Sequence, residues 1–187
     1  MRIAMIGQKG APATYGGIER HVEEIGQRLA RRGHEVGVFC RLYYTPSGAT
    51  AGGITLLRRP SIHTKHFDTV SHVTWSTLEA MLRRYDIVHF HALGPSLFSF
   101  LPRLSGQRTV VTVHGLDWQR EKWGKIAAWM LRQCEGPAAH FPDRTIVVSR
   151  TLREHFLKHH HCDAEFIPNG TNLPVTRPPK KLLQLGL

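Results

Sequence analysis

Short apolar runs alternate with longer amphipathic stretches along almost the whole chain, and this alternation restricts the fold more than any other feature. The runs predict buried strands, and apolar residues spaced three or four positions apart predict helices. The predicted strands are Arg2–Ile6, Glu35–Cys40, Ile54–Leu57, Asp86–His91, Thr109–Val113, Thr145–Val148 and Glu165–Ile167. The predicted helices are Ile18–Arg31, Ser71–Tyr85, Ser96–Leu104, Lys125–Cys134 and Thr151–His160. Because strands that alternate with helices form a parallel sheet covered on both faces, we predict an α/β fold with a Rossmann-like, doubly wound parallel sheet.

The net charge restricts the partners. With 25 lysines and arginines against 14 acidic residues, the 187-residue chain carries a formal charge of +11, which favours nucleic acid, an acidic membrane surface or a phosphate-bearing substrate. Nothing in the sequence matches a helix-turn-helix, an aromatic RNA-binding strand or a zinc finger, so we expect no nucleic-acid partner. Cys40, Cys134 and Cys162 form no CxxC pair, and no apolar run approaches the ~20 residues of a bilayer span, which predicts a reducing, cytoplasmic location.

Two glycines, Gly16 and Gly17, directly precede the first predicted helix. Free amides and the positive dipole end of a helix bind phosphate, and glycine lets the anion approach the backbone closely. A turn that needs a positive φ explains the pair equally well. Neither GxGxxG nor GxxxxGK[ST] is present, which excludes a nicotinamide dehydrogenase and a P-loop enzyme.

Histidines cluster twice in the sequence. His89 and His91 lie on one face of a predicted strand, a spacing found in some metal sites, but no third ligand follows at a useful spacing. We therefore interpret them as hydrogen-bonded core or pocket residues and expect no metal. His155 and the run His159–His161 end the last predicted helix. Adventitious binding of a transition metal is one interpretation of this run, but we expect these histidines to face solvent.

The segment from His114 to Trp123 follows a predicted strand directly and combines an imidazole, two acids, two cations and two indoles. Indole faces stack on sugar rings, carboxylates accept hydrogen bonds from sugar hydroxyls, and cations pair with phosphate. Anchoring of a helix start to the core is an equally good explanation for Trp123.

Several motifs together carry a family resemblance over nearly the whole chain. They are Tyr15-Gly16-Gly17-Ile18-Glu19, Arg32–Val36, Asp86–His89, Val113-His114-Gly115 and Ile167–Gly170. With them the sequence resembles the N-terminal domain of GT-B glycosyltransferases, specifically the retaining family 4 enzymes. Lys65–His72 and Gly115–Trp123 resemble a narrower group of bacterial rhamnosyl- and glucosyltransferases that act on surface polysaccharides.

The resemblance implies a reaction and a set of site residues. A sugar would pass, with retention, from a nucleotide-sugar donor to a glycan or polyprenyl-linked acceptor, without a metal or other cofactor. The implied catalytic residue is His114, and the implied donor-diphosphate site is Gly16 and Gly17. The implied acceptor-binding residues are Tyr15, Lys65, His72, His91, Asp117 and Arg120.

The resemblance also implies a domain organisation. Residues 1–170 form the acceptor-side domain, and residues 171–187, with their three prolines, form an interdomain linker and the start of a missing donor-side domain. We expect the chain to be inactive alone, and to work in the cytoplasm with peripheral contact to the anionic inner face of the cell membrane. The alternative is a stand-alone sugar- or phosphate-binding module.

Overall fold

A computed structural model describes residues 1–64, 67–121 and 123–170. Its centre is a seven-stranded parallel sheet with the strand order β3-β2-β1-β4-β5-β6-β7, which confirms the predicted α/β, Rossmann-like, doubly wound architecture. The strands are β1 Arg2–Ile6, β2 Glu35–Arg41, β3 Thr55–Arg59, β4 Ile87–His91, β5 Arg108–Val113, β6 Arg144–Val147 and β7 Glu165–Phe166. The helices are α1 Gly17–Arg31, α2 Phe67–Leu82, α3 Leu93–Ser96, α4 Phe100–Leu104, α5 Lys125–Gln133, α6 Glu135–His140 and α7 Arg150–His160, with a 3₁₀ turn at Asp117–Gln119.

Successive residues of the central strands face opposite sides of the sheet, and both sides are buried. Ala4 and Ile6 of β1 join the larger apolar cluster, whereas Met5 between them joins the smaller cluster that includes Val22 of α1. Burial on both faces explains why these strands are continuous apolar runs without alternation. None of the described helices is both long and apolar enough to cross a membrane.

Two predicted helices differ in the structure. The stretch predicted as one helix, Ser96–Leu104, is the two short helices α3 and α4. Pro102 has no N–H to donate to the carbonyl of Phe98, so the helix breaks before it, and Pro102 lies in the first turn of α4, where proline is tolerated. The helix predicted over Ser71–Tyr85 occupies Phe67–Leu82 instead.

The helix α7 begins at Arg150, one residue before the predicted start at Thr151. The sequence Thr151–Glu154 reads as a capping box, but Ser149 is the N-cap residue. Its backbone is extended, and its hydroxyl accepts a hydrogen bond from the amide of Leu152 at 3.1 Å. The helix α6 was not predicted, because Gly136 and Pro137 resemble a turn, although proline is well tolerated in a first helical turn.

The chain after β1 passes very close to the end of β4. Gly7 has a φ of +118°, and a Cβ added there would lie 2.3 Å from the carbonyl oxygen of His91. Only glycine fits this position. The close approach brings the loop before α1 against the carboxyl ends of β4 and β5, where ligands bind in open α/β sheets.

Candidate functional site

Four histidines from three parts of the chain meet at the carboxyl ends of β4 and β5; we call them the histidine cluster. Nδ1 of His91 lies 3.2 Å from Nε2 of His114, which directly follows β5. The ring of His21, on α1, packs edge-on against His114 with 4.7 Å between ring centroids. His89 lies 4.2 Å from His91 between centroids, and its Nε2 is 2.7 Å from Oγ1 of Thr112.

Burial keeps the histidine cluster uncharged at neutral pH. Desolvation, reinforced by the neighbouring histidines, lowers the pKa of His114 to about 3 and that of His89 to about 3, and the guanidinium of Arg120 adds to the effect at His114. Burial and the neighbouring histidines also lower the pKa of His91 well below its usual range. His91 is 0% exposed, whereas His114 is half-buried, so His114 presents a neutral ring to an incoming ligand. In the pair, one imidazole donates and the other accepts.

The start of α1 lies open beside this cluster. Gly16, the N-cap residue, has a φ of +98°, and a Cβ there would lie 2.0 Å from a carboxylate oxygen of Glu19. A Cβ at Gly17 would meet nothing within 4 Å, and no side chain caps this helix end. The predicted diphosphate position therefore has free space in front of a helix N-terminus. His21 follows Gly17 by four residues, about one helical turn.

Acidic residues of α1 fix the loop that leads into this helix. The buried Glu19 accepts a hydrogen bond from the amide of Lys9 at 3.0 Å, and Glu23 accepts one from the amide of Ala13 at 2.9 Å. These carboxylates accept hydrogen bonds from loop amides, which in a helix or strand would donate to backbone carbonyls. The loop geometry, and with it the position of Gly16 and Gly17, is set by α1 itself.

Tyr15 is a surface residue at the mouth of the site, with 60% of its area exposed. The ammonium group of Lys9 lies 4.9 Å from its ring centroid and donates to its hydroxyl at 3.2 Å. The hydroxyl of Tyr44 holds the backbone here, because it accepts from the amide of Thr14 and donates to the carbonyl of Tyr15. Tyr15, a predicted acceptor-binding residue, therefore presents an exposed aromatic face on a fixed backbone.

Asp117 and Arg120 lie on the turn that follows His114. Their side chains form an ion pair, with 3.5 Å between Nε and Oδ1, and Arg120 is about half exposed. The positive charge of Arg120 is one of the causes that lower the pKa of His114, which places the guanidinium near that ring. The structure thus brings these two predicted acceptor residues to the same edge as the histidine cluster.

His72, another predicted acceptor residue, lies on α2 and not in the histidine cluster. It is 0% exposed on the inner side of α2, and burial together with the charge of Arg41 lowers its pKa to about 4. The structure does not bring His72 to a surface that an acceptor reaches, and its predicted role stays a prediction. Lys65, another predicted acceptor residue, lies outside the described residues, as do residues 171–187.

Sequence reasoning missed two members of the site. One ring nitrogen each of His21, His91 and His114 lies within 4.8 Å of the others, so His91 has two histidine neighbours that sequence spacing alone did not indicate. The side chain of Asn169, after β7, lies beside His21 and acts to raise its pKa, against the larger lowering by burial. One signal was present for His21: it stands one turn into the helix that begins at the open glycine pair.

The predicted solvent exposure of the C-terminal histidines is half right. His159 and His161 are exposed, but His155 and His160 are half-buried and bond to the carboxylate of Glu135. Glu135 also accepts a hydrogen bond from Nε1 of Trp118. Trp118 is partly buried against the core, so it anchors the turn after β5.

Comparison with known proteins places these features in context. The model of Glycosyltransferase Family 4 matches residues 15–174. Sucrose-phosphate synthase from Thermosynechococcus elongatus has a TM-score of 0.73 at 22% identity, over 100% of this chain and 52% of that protein. Anabaena HepE, solved with UDP and glucose, has a TM-score of 0.68 at 19% identity, over 100% of this chain and 50% of HepE. An uncharacterised glycosyltransferase of Methanocaldococcus jannaschii is 30% identical over 96 residues, 49% of this chain and 25% of that relative.

These likenesses confirm the expected fold, that of a GT-B glycosyltransferase N-terminal domain. The chain spans about half the length of the two solved neighbours and a quarter of the curated relative.

Proposed function

The chain belongs to Glycosyltransferase Family 4, and on that premise we propose that it forms the acceptor-side half of an enzyme that transfers a sugar from a nucleotide-sugar donor with retention. The acceptor is a glycan or a polyprenyl-linked glycan. The solved neighbour with UDP and glucose supports a nucleotide-sugar donor. The resemblance of the Gly115–Trp123 segment supports a hexosyl or rhamnosyl donor and a product that belongs to a surface polysaccharide.

One observation carries the proposal: a neutral, half-exposed His114 stands beside the open start of α1. Negative charge grows on the departing diphosphate as the bond to the sugar breaks. Amides and the dipole at Gly17 stabilise that charge, and the gain is largest where the groups are already in place before reaction. A neutral imidazole at His114 hydrogen-bonds the sugar, and its 3.2 Å contact with His91 fixes the direction of the ring.

In the proposed enzyme, this chain and a donor-side domain each supply part of the remaining substrate contacts. Tyr15, Asp117 and Arg120 line the acceptor side, and Arg120 offers a cation to a phosphate of a lipid-linked acceptor. A donor-side domain supplies the remaining diphosphate and nucleotide contacts, so the chain does not turn over alone. Transfer needs no metal, because helix amides and cations neutralise the leaving group. The charge of +11 favours work at the anionic cytoplasmic face of a membrane.

His114→Ala tests the proposal in a protein that joins this chain to a donor-side domain. We expect sugar transfer to fall by at least about 100-fold, the typical cost of losing one hydrogen bond to the reacting groups. Transfer of radiolabelled sugar to a lipid-linked acceptor measures it. His159→Ala is the matched control, because His159 is an exposed histidine on α7. Near-normal transfer by the His114 variant would refute the assigned role.

A further inference from the structure

A second group of metal-ligand side chains lies between α6 and α7, away from the histidine cluster. Glu135 begins α6 and is 4% exposed, while His155 and His160 project from α7. The Glu135 oxygen Oε2 lies 2.9 Å from Nε2 of His155 and 2.8 Å from Nε2 of His160. All three ligand atoms lie within 4.8 Å of one another. We call these three residues the Glu135 cluster.

Two histidines and a glutamate are one of the donor sets that bind zinc in proteins. Zinc binds imidazole nitrogen and carboxylate oxygen at about 2.0–2.2 Å, with a water in the fourth position of a tetrahedron. Ligand atoms around such an ion stand about 3.3 Å apart. The present separations of 2.8 and 2.9 Å are shorter, so an ion enters after the two rings move outward by a few tenths of an ångström. Both histidines are half-buried, which leaves a path from solvent.

An outer hydrogen bond already orients the carboxylate. Nε1 of Trp118 donates to Oε1 of Glu135, and this leaves Oε2 directed toward the two histidines. Metal sites in proteins commonly hold their ligands by such second contacts. Trp118 belongs to the 3₁₀ turn that follows His114, so an ion at the Glu135 cluster would connect that turn to α6 and α7.

We propose that Glu135, His155 and His160 bind one divalent transition-metal ion, with Zn²⁺ as the best match, in a three-ligand site that connects the turn after His114 to α6 and α7. The site is separate from the proposed transfer chemistry and does not depend on it.

The histidine cluster competes poorly for the same ion. Three of its four histidines, His21, His91 and His114, offer a ring nitrogen but no carboxylate joins them, so a dication there would be buried without a negative charge. The guanidinium of Arg120 adds repulsion near His114. His91 is also 0% exposed. We therefore expect one bound ion per chain rather than two.

Titration of the chelator-treated 187-residue chain with Zn²⁺ by calorimetry tests the proposal, with Co²⁺ absorption to report four-coordinate geometry. We expect one ion per chain. Loss of an outer partner typically weakens metal binding about 10–100-fold, so Trp118→Phe should weaken it by about 10-fold. Glu135→Gln and His160→Gln each change a ligand, so each should weaken binding by at least about 100-fold. His159→Gln is the matched control and should bind as the parent does.

Circular dichroism shows which variants fold. If Glu135→Gln does not fold, the metal affinity of His160→Gln tests the proposal, because His160 lies at the end of α7 and is only half-buried. Stoichiometric binding that survives both substitutions overturns the proposal, and so does the absence of binding at micromolar Zn²⁺. Binding that is lost in His21→Gln but retained in Glu135→Gln would overturn it by assigning the ion to the histidine cluster.

Discussion

The histidine cluster and the Glu135 cluster use the same side chain in opposite electrostatic settings. At the ends of β4 and β5, imidazoles are buried against one another without an acid, and desolvation lowers the pKa of His114 to about 3. Between α6 and α7, two imidazoles face a carboxylate. Burial acts to raise the pKa of Glu135, but hydrogen bonds from His155, His160 and Trp118 outweigh it, so the net shift is downward.

The comparison shows how one buried charge decides what a group of histidines can do. Without a counter-charge, imidazoles stay neutral and serve as hydrogen-bond donors and acceptors toward a polar substrate. With a carboxylate among them, the group holds a charge and favours a cation. The fold provides both settings within one domain, and each is tied to the turn that begins at His114.

Gly7→Ala should break the histidine cluster with the largest loss of stability. The added Cβ would lie 2.3 Å from the carbonyl oxygen of His91, which is backbone and cannot turn away, and φ is +118°. Backbone strain and overpacking each cost about 1–3 kcal/mol, so we expect a loss of about 3 kcal/mol. Urea unfolding measures it. Gly17→Ala is the control, since its Cβ meets nothing within 4 Å, and an equal loss there would contradict the argument.

Acid should reduce the stability of the folded chain through the histidine cluster, by a smaller amount than Gly7→Ala does. His114 titrates at about 3 in the folded chain and near 6.5 when unfolded, so the unfolded state binds more protons between these values and stability falls as pH falls from 6.5. At pH 5 this one group costs about 2 kcal/mol relative to pH 7. We expect His114→Gln, which has no titrating group, to lose less stability than the parent between pH 7 and pH 5 by that amount. Unfolding curves at both pH values measure the difference, and an identical loss would show that His114 is not the desolvated group.

Much of this arrangement was predictable from the sequence, because strand and helix periods are local signals. The strand alternation gives the sheet, and the rule that ligands bind at carboxyl strand ends brings Gly17, His91 and His114 to one edge. His21 was harder, because its position depends on how α1 rotates against the ends of β4 and β5. No sequence pattern reports that rotation.

The Glu135 cluster was out of reach for a different reason. Its carboxylate stands 20 and 25 positions before its two histidine partners, and only the packing of α6 on α7 brings them together. The glycine and proline at the start of α6 concealed even the helix that carries it. The burial of His72 was equally hidden, since the resemblance suggested a role but could not say which side of α2 faces the core.

The smallest predicted effect concerns the start of α7. It distinguishes the two clusters because α7 carries two residues of the Glu135 cluster and none of the histidine cluster. Ser149→Ala removes the hydroxyl that accepts from the amide of Leu152, and the loss of an N-cap costs about 1 kcal/mol. Thr151→Ala is the matched control and should cost less, because Thr151 is exposed and does not cap the helix. Since His155 and His160 lie on α7 whereas His114 follows β5, Ser149→Ala should raise amide hydrogen exchange along α7 and leave β4 and β5 unchanged. Equal effects of the two substitutions would restore the capping box at Thr151 that the sequence suggested.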